Sequence, residues 1–250
     1  MSKRDLLFIT EGEIDEPRFI EKFFKKSISN VEYSIYPYTT TIHTLAKLIF
    51  NKNEEIDEDL DIKKVLKEQA TDLIKRRMLE KDYTDIVLVF DFEPHCDSPE
   101  FKKVGKMLEY FNDSANMGKL YINYPMMQSY KHLKKFPDNE FKDRKIDTMD
   151  ASHYKRIVDK ESGYKNLTNY NFPLCMKIIG HHLMKANYII SNRYELMNKE
   201  DFIKLDYLKI YKIEKEHNEK EQWVDVLNTF LFFIIEFNPT IMLERVNNFM

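Results

Sequence analysis

The chain of 250 residues has few cysteines, little net charge and no long uninterrupted apolar run. Its two cysteines, Cys96 and Cys175, form no CxxC pair, which argues against a cysteine-rich zinc ribbon and against a disulfide framework. A net charge of −3 excludes a protein that attracts nucleic acid through its overall charge. Any anionic partner must therefore be held by a local basic patch.

The chain also lacks an N-terminal apolar stretch of the kind that a signal peptide needs. Its longest apolar run, residues 223–237, is interrupted by Asp225, Asn228 and Glu236 and is shorter than the roughly 20 residues of a membrane span. We expect a cytoplasmic protein without a membrane partner. The run itself is expected to form a buried helix, which could also serve as an interface between copies in a homo-oligomer.

Apolar strand patterns alternate with helical patterns in the first half of the chain. L-L-F-I-T (6–10) and D-I-V-L-V-F (85–90) are uninterrupted runs, typical of strands buried on both faces of a parallel sheet. The alternation predicts an α/β domain over residues 1–130. An all-helical C-terminal extension is expected over 131–250, and one long helix is expected at 62–80. The helices expected in the C-terminal region cover residues 151–161, 174–190, 201–219 and 222–237.

Acidic residues follow two of these predicted strands. Glu11 and Gly12 come directly after the first strand, and Asp91 and Glu93 come directly after the third. Ligands of open parallel sheets collect at the carboxyl ends of strands, so neighbouring strands would bring these carboxylates together. A site made only of oxygen ligands favours Mg²⁺ or Mn²⁺. Gly12 would let the backbone turn sharply and approach a ligand closely.

These residues resemble the Toprim family. F-I-T-E-G-E-I-D-E (8–16), together with an apolar strand that ends in D-F-E (91–93), is similar to the two Toprim motifs over about residues 6–124. The resemblance implies a small parallel sheet flanked by helices. It also implies that Glu11 is the catalytic glutamate, and that Asp91 and Glu93 occupy the two acidic positions of the D-x-D motif that hold Mg²⁺.

The resemblance has one departure, because Glu93 stands where the family usually has aspartate. The longer side chain is expected to alter the metal geometry, and Asp97 could compensate as a further ligand. Asp15 could cap the helix that follows the first motif or support the site directly. Gln128 follows the fourth predicted strand, at a position where the resemblance implies a further acid in related enzymes, and as an amide it could only hydrogen-bond to a water or a phosphate.

Within the Toprim family, the size and the T-E-G-E opening look most like the stand-alone bacterial defence nucleases of the RloB-like and OLD (overcoming lysogeny) type. A topoisomerase would need larger DNA-gating domains, and a Toprim primase would carry a zinc-binding cysteine cluster. The expected activity is hydrolysis of phosphodiester bonds in DNA or RNA, with tRNA as one candidate. The resemblance also implies a toxic role in defence against phages and a possible regulatory or sensor partner.

A basic cluster lies just beyond the predicted sheet domain and could hold the polyanion. Its members are Lys131, Lys134, Lys135, Arg144 and Lys145.

Two other functions fit the same motifs. Asp91 could be the acyl-phosphate nucleophile of a phosphohydrolase, which would leave Glu11 dispensable. Alternatively, the acidic site could belong to a module that binds nucleic acid or a partner protein without catalysis.

Overall fold

A computed structural model describes residues 4–28, 31–96 and 99–250 of the chain. The fold is α/β, with a mostly parallel central sheet flanked by helices. The strands are β1 (Arg4–Thr10), β2 (Val31–Pro37), β3 (Asp85–Asp91), β4 (Asn112–Asp113), β5 (Gly118–Tyr124), β6 (Lys145–Asp147), β7 (Trp223–Asp225) and β8 (Leu227–Asn228).

The central sheet has the strand order β2-β1-β3-β5-β4, with β8 paired to β5. β1 pairs in parallel with both β2 and β3. Its register against β3 runs from Leu6 opposite Asp85 to Thr10 opposite Val89. Both strands are buried along most of their length, as expected for apolar strands covered on two faces. The parallel pairing brings the carboxyl ends of β1 and β3 to one edge of the sheet.

Helices follow the strands and make up most of the C-terminal half. They are α1 (Asp15–Phe19), α2 (Lys25–Ser27), α3 (Ile42–Ile49), α4 (Ile62–Gln69), α5 (Leu73–Leu79), α6 (Phe101–Tyr110), α7 (Tyr154–Glu161), α8 (Phe172–Ser191), α9 (Lys199–Ile203), α10 (Tyr207–Glu216), α11 (Leu231–Glu236) and α12 (Pro239–Phe249). Short 3-10 turns and two π-helical segments, Ile20–Phe24 and His217–Glu221, connect or extend them.

The single helix expected over residues 62–80 is wrong, because the segment forms α4 and α5. Ala70 has an extended backbone at the end of α4. The side chain of Asp72 then accepts a hydrogen bond from the N–H of Ile74 at 2.7 Å, which begins a new helix. The apolar periodicity continues across the break, so it conceals the cap.

The helix expected over residues 222–237 is also wrong. Gln222 has a left-handed backbone, with φ of 59°, and β7 and β8 follow it before α11 begins. β7 pairs with β6, and β8 pairs with β5. An apolar run of this length fits a buried strand as well as a buried helix, and the partner strands decide the outcome. The all-helical C-terminal extension therefore has to be corrected to a mainly helical region that contains short strands.

The structure forms two compact units. One contains β1, β2, β4, α3 to α6 and most of β3, and the other contains α2, α7 to α12 and β6 to β8. The division expected between residues 130 and 131 stays a prediction. Within the described part of the chain, no helix has both the length and the apolar character that crossing a membrane requires.

Candidate metal centre

Glu11 continues the parallel ladder one residue beyond β1. Its N–H donates a hydrogen bond to the carbonyl oxygen of Val89 at 3.0 Å, and its own carbonyl oxygen accepts one from the N–H of Thr39 at 2.9 Å. The backbone of Glu11 is therefore held on both sides. As a result, its side chain starts from a defined position at the carboxyl end of β1.

The turn after Glu11 is organised around Gly12. The N–H of Gly12 donates to Oε1 of Glu16 at 3.3 Å, and the hydroxyl of Thr10 donates to the carbonyl oxygen of Gly12 at 2.9 Å. A Cβ atom at position 12 would lie 2.6 Å from Oε2 of Glu16, whose side chain is buried. Because glycine has no Cβ atom, it leaves room for this carboxylate. Asp15, the first residue of α1, lies in the same turn.

Asp91 and Glu93 lie at the end of β3. Asp91 is the last residue of the strand and is buried, whereas Glu93 is partly exposed. Between them, the N–H of Phe92 donates to the carbonyl oxygen of Asn123 at 3.0 Å. Glu93 has φ of 53°, a left-handed conformation that is uncommon for a residue other than glycine. Backbone conformations of this kind cluster at functional sites, where the surrounding structure holds them in place.

The carboxylates of Glu11, Asp91 and Glu93 each offer one oxygen atom, and these atoms lie within 4.8 Å of one another. Carboxylates at such separations repel each other unless a proton or a cation lies among them. The donors are all oxygen atoms, the kind that Mg²⁺ and Mn²⁺ prefer. Chemically, the residues present fit a hard divalent cation.

Asp85, at the opposite end of β3, shows what a structural carboxylate looks like in this fold. It is buried, and its two oxygens accept hydrogen bonds from the hydroxyls of Thr84 and Ser114, both at 2.8 Å. Arg4 lies 3.8 Å away. The charge of Asp85 is therefore met by protein groups.

Two further members of the expected site have different outcomes. Asp97 lies outside the described residues. Gln128 is buried in the 3-10 turn Met127–Lys131. His95 was not among the expected site residues, yet its Nε2 atom lies 3.5 Å from Oε2 of Glu93. The only signal in the sequence is that the two residues are two positions apart in one loop.

The expected basic cluster separates into members with different surroundings. Arg144 is buried and donates to both oxygens of Asp138, at 2.7 and 3.4 Å, and to the carbonyl oxygen of His132 at 2.9 Å. Burial alone would raise the pKa of Asp138, but the hydrogen bonds from Arg144 and the N–H of Lys134 outweigh it and lower the pKa. The guanidinium of Arg144 is therefore buried and hydrogen-bonded to Asp138 and His132.

The lysines of the cluster lie nearer the surface. Lys131 pairs with Asp159 at 2.9 Å and is largely covered, whereas Lys134 pairs with Glu140 at 3.3 Å and is exposed. Lys135 is exposed, and the ammonium of Lys145 lies 4.0 Å from the centre of the Trp223 ring. Lys134, Lys135 and Lys145 are the members of the cluster with exposed side chains.

Comparisons of the chain with protein-family models, with curated proteins and with solved structures find no match in any of the three. The assignment of a function therefore depends on the residues of this chain and on the geometry of the acidic site.

Proposed function

We propose that the protein is a metal-dependent phosphodiesterase that cleaves nucleic acid, with Glu11, Asp91 and Glu93 as the ligands of Mg²⁺ or Mn²⁺. The observation that carries the proposal is the proximity of the three carboxylates at the carboxyl ends of neighbouring parallel strands. Ligands collect at that edge in open α/β sheets.

Each acid has a distinct part in the proposed site. The backbone of Glu11 is held by main-chain hydrogen bonds on both sides, so its carboxylate extends from a fixed backbone position. Asp91 would offer its carboxylate from a buried position, where electrostatic attraction to a cation is stronger than in water. Glu93 is partly exposed and so lies between the buried acid and solvent, from which a phosphate would arrive.

A bound divalent cation would supply a water of lowered pKa and would neutralise charge that develops on a phosphate. The chain's own residues would position the cation and exclude competing ligands. The exposed ammonium groups of Lys134, Lys135 and Lys145 would attract the polyanion through sequence-independent contacts. The resemblance to stand-alone Toprim nucleases is the support for a role in defence against phages and for a regulatory or sensor partner.

The proposal is tested by incubating the full chain with total tRNA, single-stranded DNA and plasmid DNA, in Mg²⁺, in Mn²⁺ and in chelator. Glu11→Gln removes one charged ligand with little change in shape. Glu13→Gln is the matched control, because Glu13 is exposed and pairs only loosely with Lys75 at 3.8 Å. Loss of a residue that only supports a metal ligand lowers metal affinity or activity by about 10- to 100-fold. Because Glu11 is proposed as a ligand itself, we expect Glu11→Gln to lower the cleavage rate by at least about 100-fold.

Equal cleavage by Glu11→Gln and the wild type would refute the proposal. A phosphorylated Asp91 that forms without Glu11 would replace it with a phosphohydrolase. Metal-dependent binding of nucleic acid without turnover in any condition would replace it with a binding module.

A further inference from the structure

A second group of metal-binding side chains lies in the C-terminal half of the chain. Glu214 is in the last turn of α10, His217 begins the π-helical segment His217–Glu221, and Asp225 ends β7. Each offers one ligand atom, and these atoms lie within 4.8 Å of one another. Glu214 and His217 are three residues apart, so a helical backbone places them on one face.

Glu214 is fully buried, and its two oxygens have different environments. Oε2 accepts a hydrogen bond from the N–H of Asp225 at 2.8 Å. Oε1 has no hydrogen-bond partner among the described residues. A buried carboxylate oxygen without a partner is unfavourable, so this atom is available to a ligand that the protein itself does not provide.

The two oxygens of Asp225 have different neighbours. Its Oδ1 pairs at 2.5 Å with the ammonium of Lys185, which is fully buried and also donates to the carbonyl oxygen of Arg144 at 3.2 Å. Oδ2 lies 3.8 Å from Nδ1 of His217. That separation is too long for a hydrogen bond. Lys185 therefore balances the charge of one carboxylate of the group, and Glu214 contributes a second carboxylate.

His217 is held in place by ring packing and leaves its Nδ1 atom unused. The imidazole lies against Trp223, with ring centres 3.9 Å apart, and Nδ1 has no hydrogen-bond partner within the described chain. The residue starts a π-helical turn, a feature frequent at functional sites. His217 and Asp225 also line a cleft of about 620 Å³, which gives an ion or a small ligand access to them.

We propose that Glu214, His217 and Asp225 bind a divalent transition-metal ion of the Zn²⁺ class. A histidine nitrogen with two carboxylates is a ligand set for zinc, whereas Mg²⁺ selects oxygen donors. Three protein ligands leave a fourth position for a water or an anion, and the cleft lies beside two of them. Lys142 and Lys145 also line the cleft and suit an anionic fourth ligand.

This site was not expected from the sequence, where Asp225 was assigned to a buried helix. A weak signal was present, since Glu214 and His217 form an E-x-x-H pattern within a helical segment. The third ligand reaches the pair only because the chain turns at Gln222 and continues as β7.

The test is a calorimetric titration of Zn²⁺ into the full chain carrying Glu11→Gln, which weakens the first acidic site. Co²⁺ is used in parallel, because the intensity of its visible absorption reports a low coordination number. We expect one Zn²⁺ to bind per chain, at least about tenfold more weakly after His217→Gln. His153→Gln is the matched control, since His153 is an exposed histidine, and it should leave the affinity unchanged.

A second pair of variants tests the buried ligand. Glu214→Gln should weaken Zn²⁺ binding, and Glu216→Gln, an exposed glutamate on the same helix, should not. Folding of each apo variant is checked by circular dichroism. If Glu214→Gln does not fold, His217→Gln still decides the matter, because that side chain is 26% exposed and its loss disturbs less of the core.

Equal Zn²⁺ affinity with and without His217→Gln would overturn the inference. Absence of stoichiometric Zn²⁺ binding would also overturn it. Neither result bears on the acidic site at β1 and β3, whose test reads nucleic-acid cleavage. The two proposals can therefore fail separately.

Discussion

The N–H of Glu11 donates a hydrogen bond to the carbonyl oxygen of Val89 at 3.0 Å. This bond extends the β1–β3 ladder past the last residue of β1, and Asp91 follows Val89 by two residues along β3. The position of each acid is therefore set by main-chain hydrogen bonding. Conservative changes of these side chains should consequently alter ligand binding without altering the sheet, which makes the site accessible to mutagenesis.

Glu93→Gly should separate stability from function. Glycine adopts the φ of 53° at this position without the steric penalty that a Cβ atom brings. We expect the free energy of unfolding of the variant to equal that of the wild type or to exceed it by up to about 1 kcal/mol. We also expect the variant to lose metal-dependent cleavage. Differential scanning calorimetry and the nuclease assay measure the two properties.

Glu54→Gly is the matched control, because Glu54 is an exposed glutamate with φ of 57°. It should relieve the same backbone strain and leave cleavage unchanged. A Glu93→Gly protein with wild-type cleavage would contradict a ligand role for Glu93.

Gly12→Ala should disturb the turn that follows Glu11. The new Cβ atom would lie 2.6 Å from Oε2 of Glu16, so the buried carboxylate has to move and its hydrogen bond with the N–H of residue 12 weakens. We expect a loss of about 1–3 kcal/mol in the free energy of unfolding and weaker Mg²⁺ binding.

The double variant Gly12→Ala with Glu16→Ala removes the colliding carboxylate. It should therefore be destabilised by less than the sum of the two single variants, as measured by urea unfolding. Strictly additive effects would show that the two positions do not interact.

Arg144→Met should destabilise the protein strongly. The change leaves the buried carboxylate of Asp138 without the two hydrogen bonds that Arg144 donates at 2.7 and 3.4 Å. Removing one partner of a buried ion pair costs about 3–5 kcal/mol. Lys135→Met, at an exposed position of the same basic cluster, should change the free energy of unfolding by less than about 0.5 kcal/mol.

The ion pair between Arg144 and Asp138 should make the stability of the protein depend on pH in acid. The pKa of Asp138 is lower in the folded protein than its usual value of 3.8. The pair therefore contributes stability that is fully present above pH of about 4 and declines as the pH falls through the lowered folded pKa. An Arg144→Met protein as stable as the wild type, but with weaker binding of nucleic acid, would instead assign Arg144 to the polyanion.

His182 should make stability depend on pH in the mildly acidic range. Burial lowers its pKa to about 3, and its Nδ1 atom accepts a hydrogen bond from the N–H of Asn228 at 3.0 Å. The unfolded chain takes up a proton at this residue near pH 6.5, whereas the folded protein does not until about pH 3. Between these values the residue removes up to about 1.4 kcal/mol of stability per pH unit as the pH falls.

His182→Asn keeps an acceptor near Asn228 and removes the titrating group. The slope of the free energy of unfolding against pH should therefore decrease by about one proton between pH 6.5 and 3,. His153→Asn, at an exposed histidine, should leave the slope unchanged. Parallel curves for the wild type and His182→Asn would show that His182 titrates equally in both states.

The sequence by itself determined the elements that carry the first acidic site. The apolar runs that became β1 and β3 predict buried parallel strands, and the acids directly after them predict a cluster at the carboxyl edge. These features follow from local patterning because both strands are buried along most of their length. Their own residues therefore specify the strand type and the position where each strand ends.

The tertiary structure alone decided how residues 223–237 fold and what Arg144 does. An apolar run predicts burial but not secondary structure, and here β5 and β6 supply the hydrogen-bonding partners that make short strands. A basic residue in the sequence predicts charge but not exposure, and the contact with Asp138 keeps Arg144 inside. The same non-local pairing brings Asp225 to Glu214 and His217. Hydrogen bonds and ion pairs between segments that are distant in the sequence cannot be predicted from local sequence patterns. For this physical reason, only the tertiary structure shows these features.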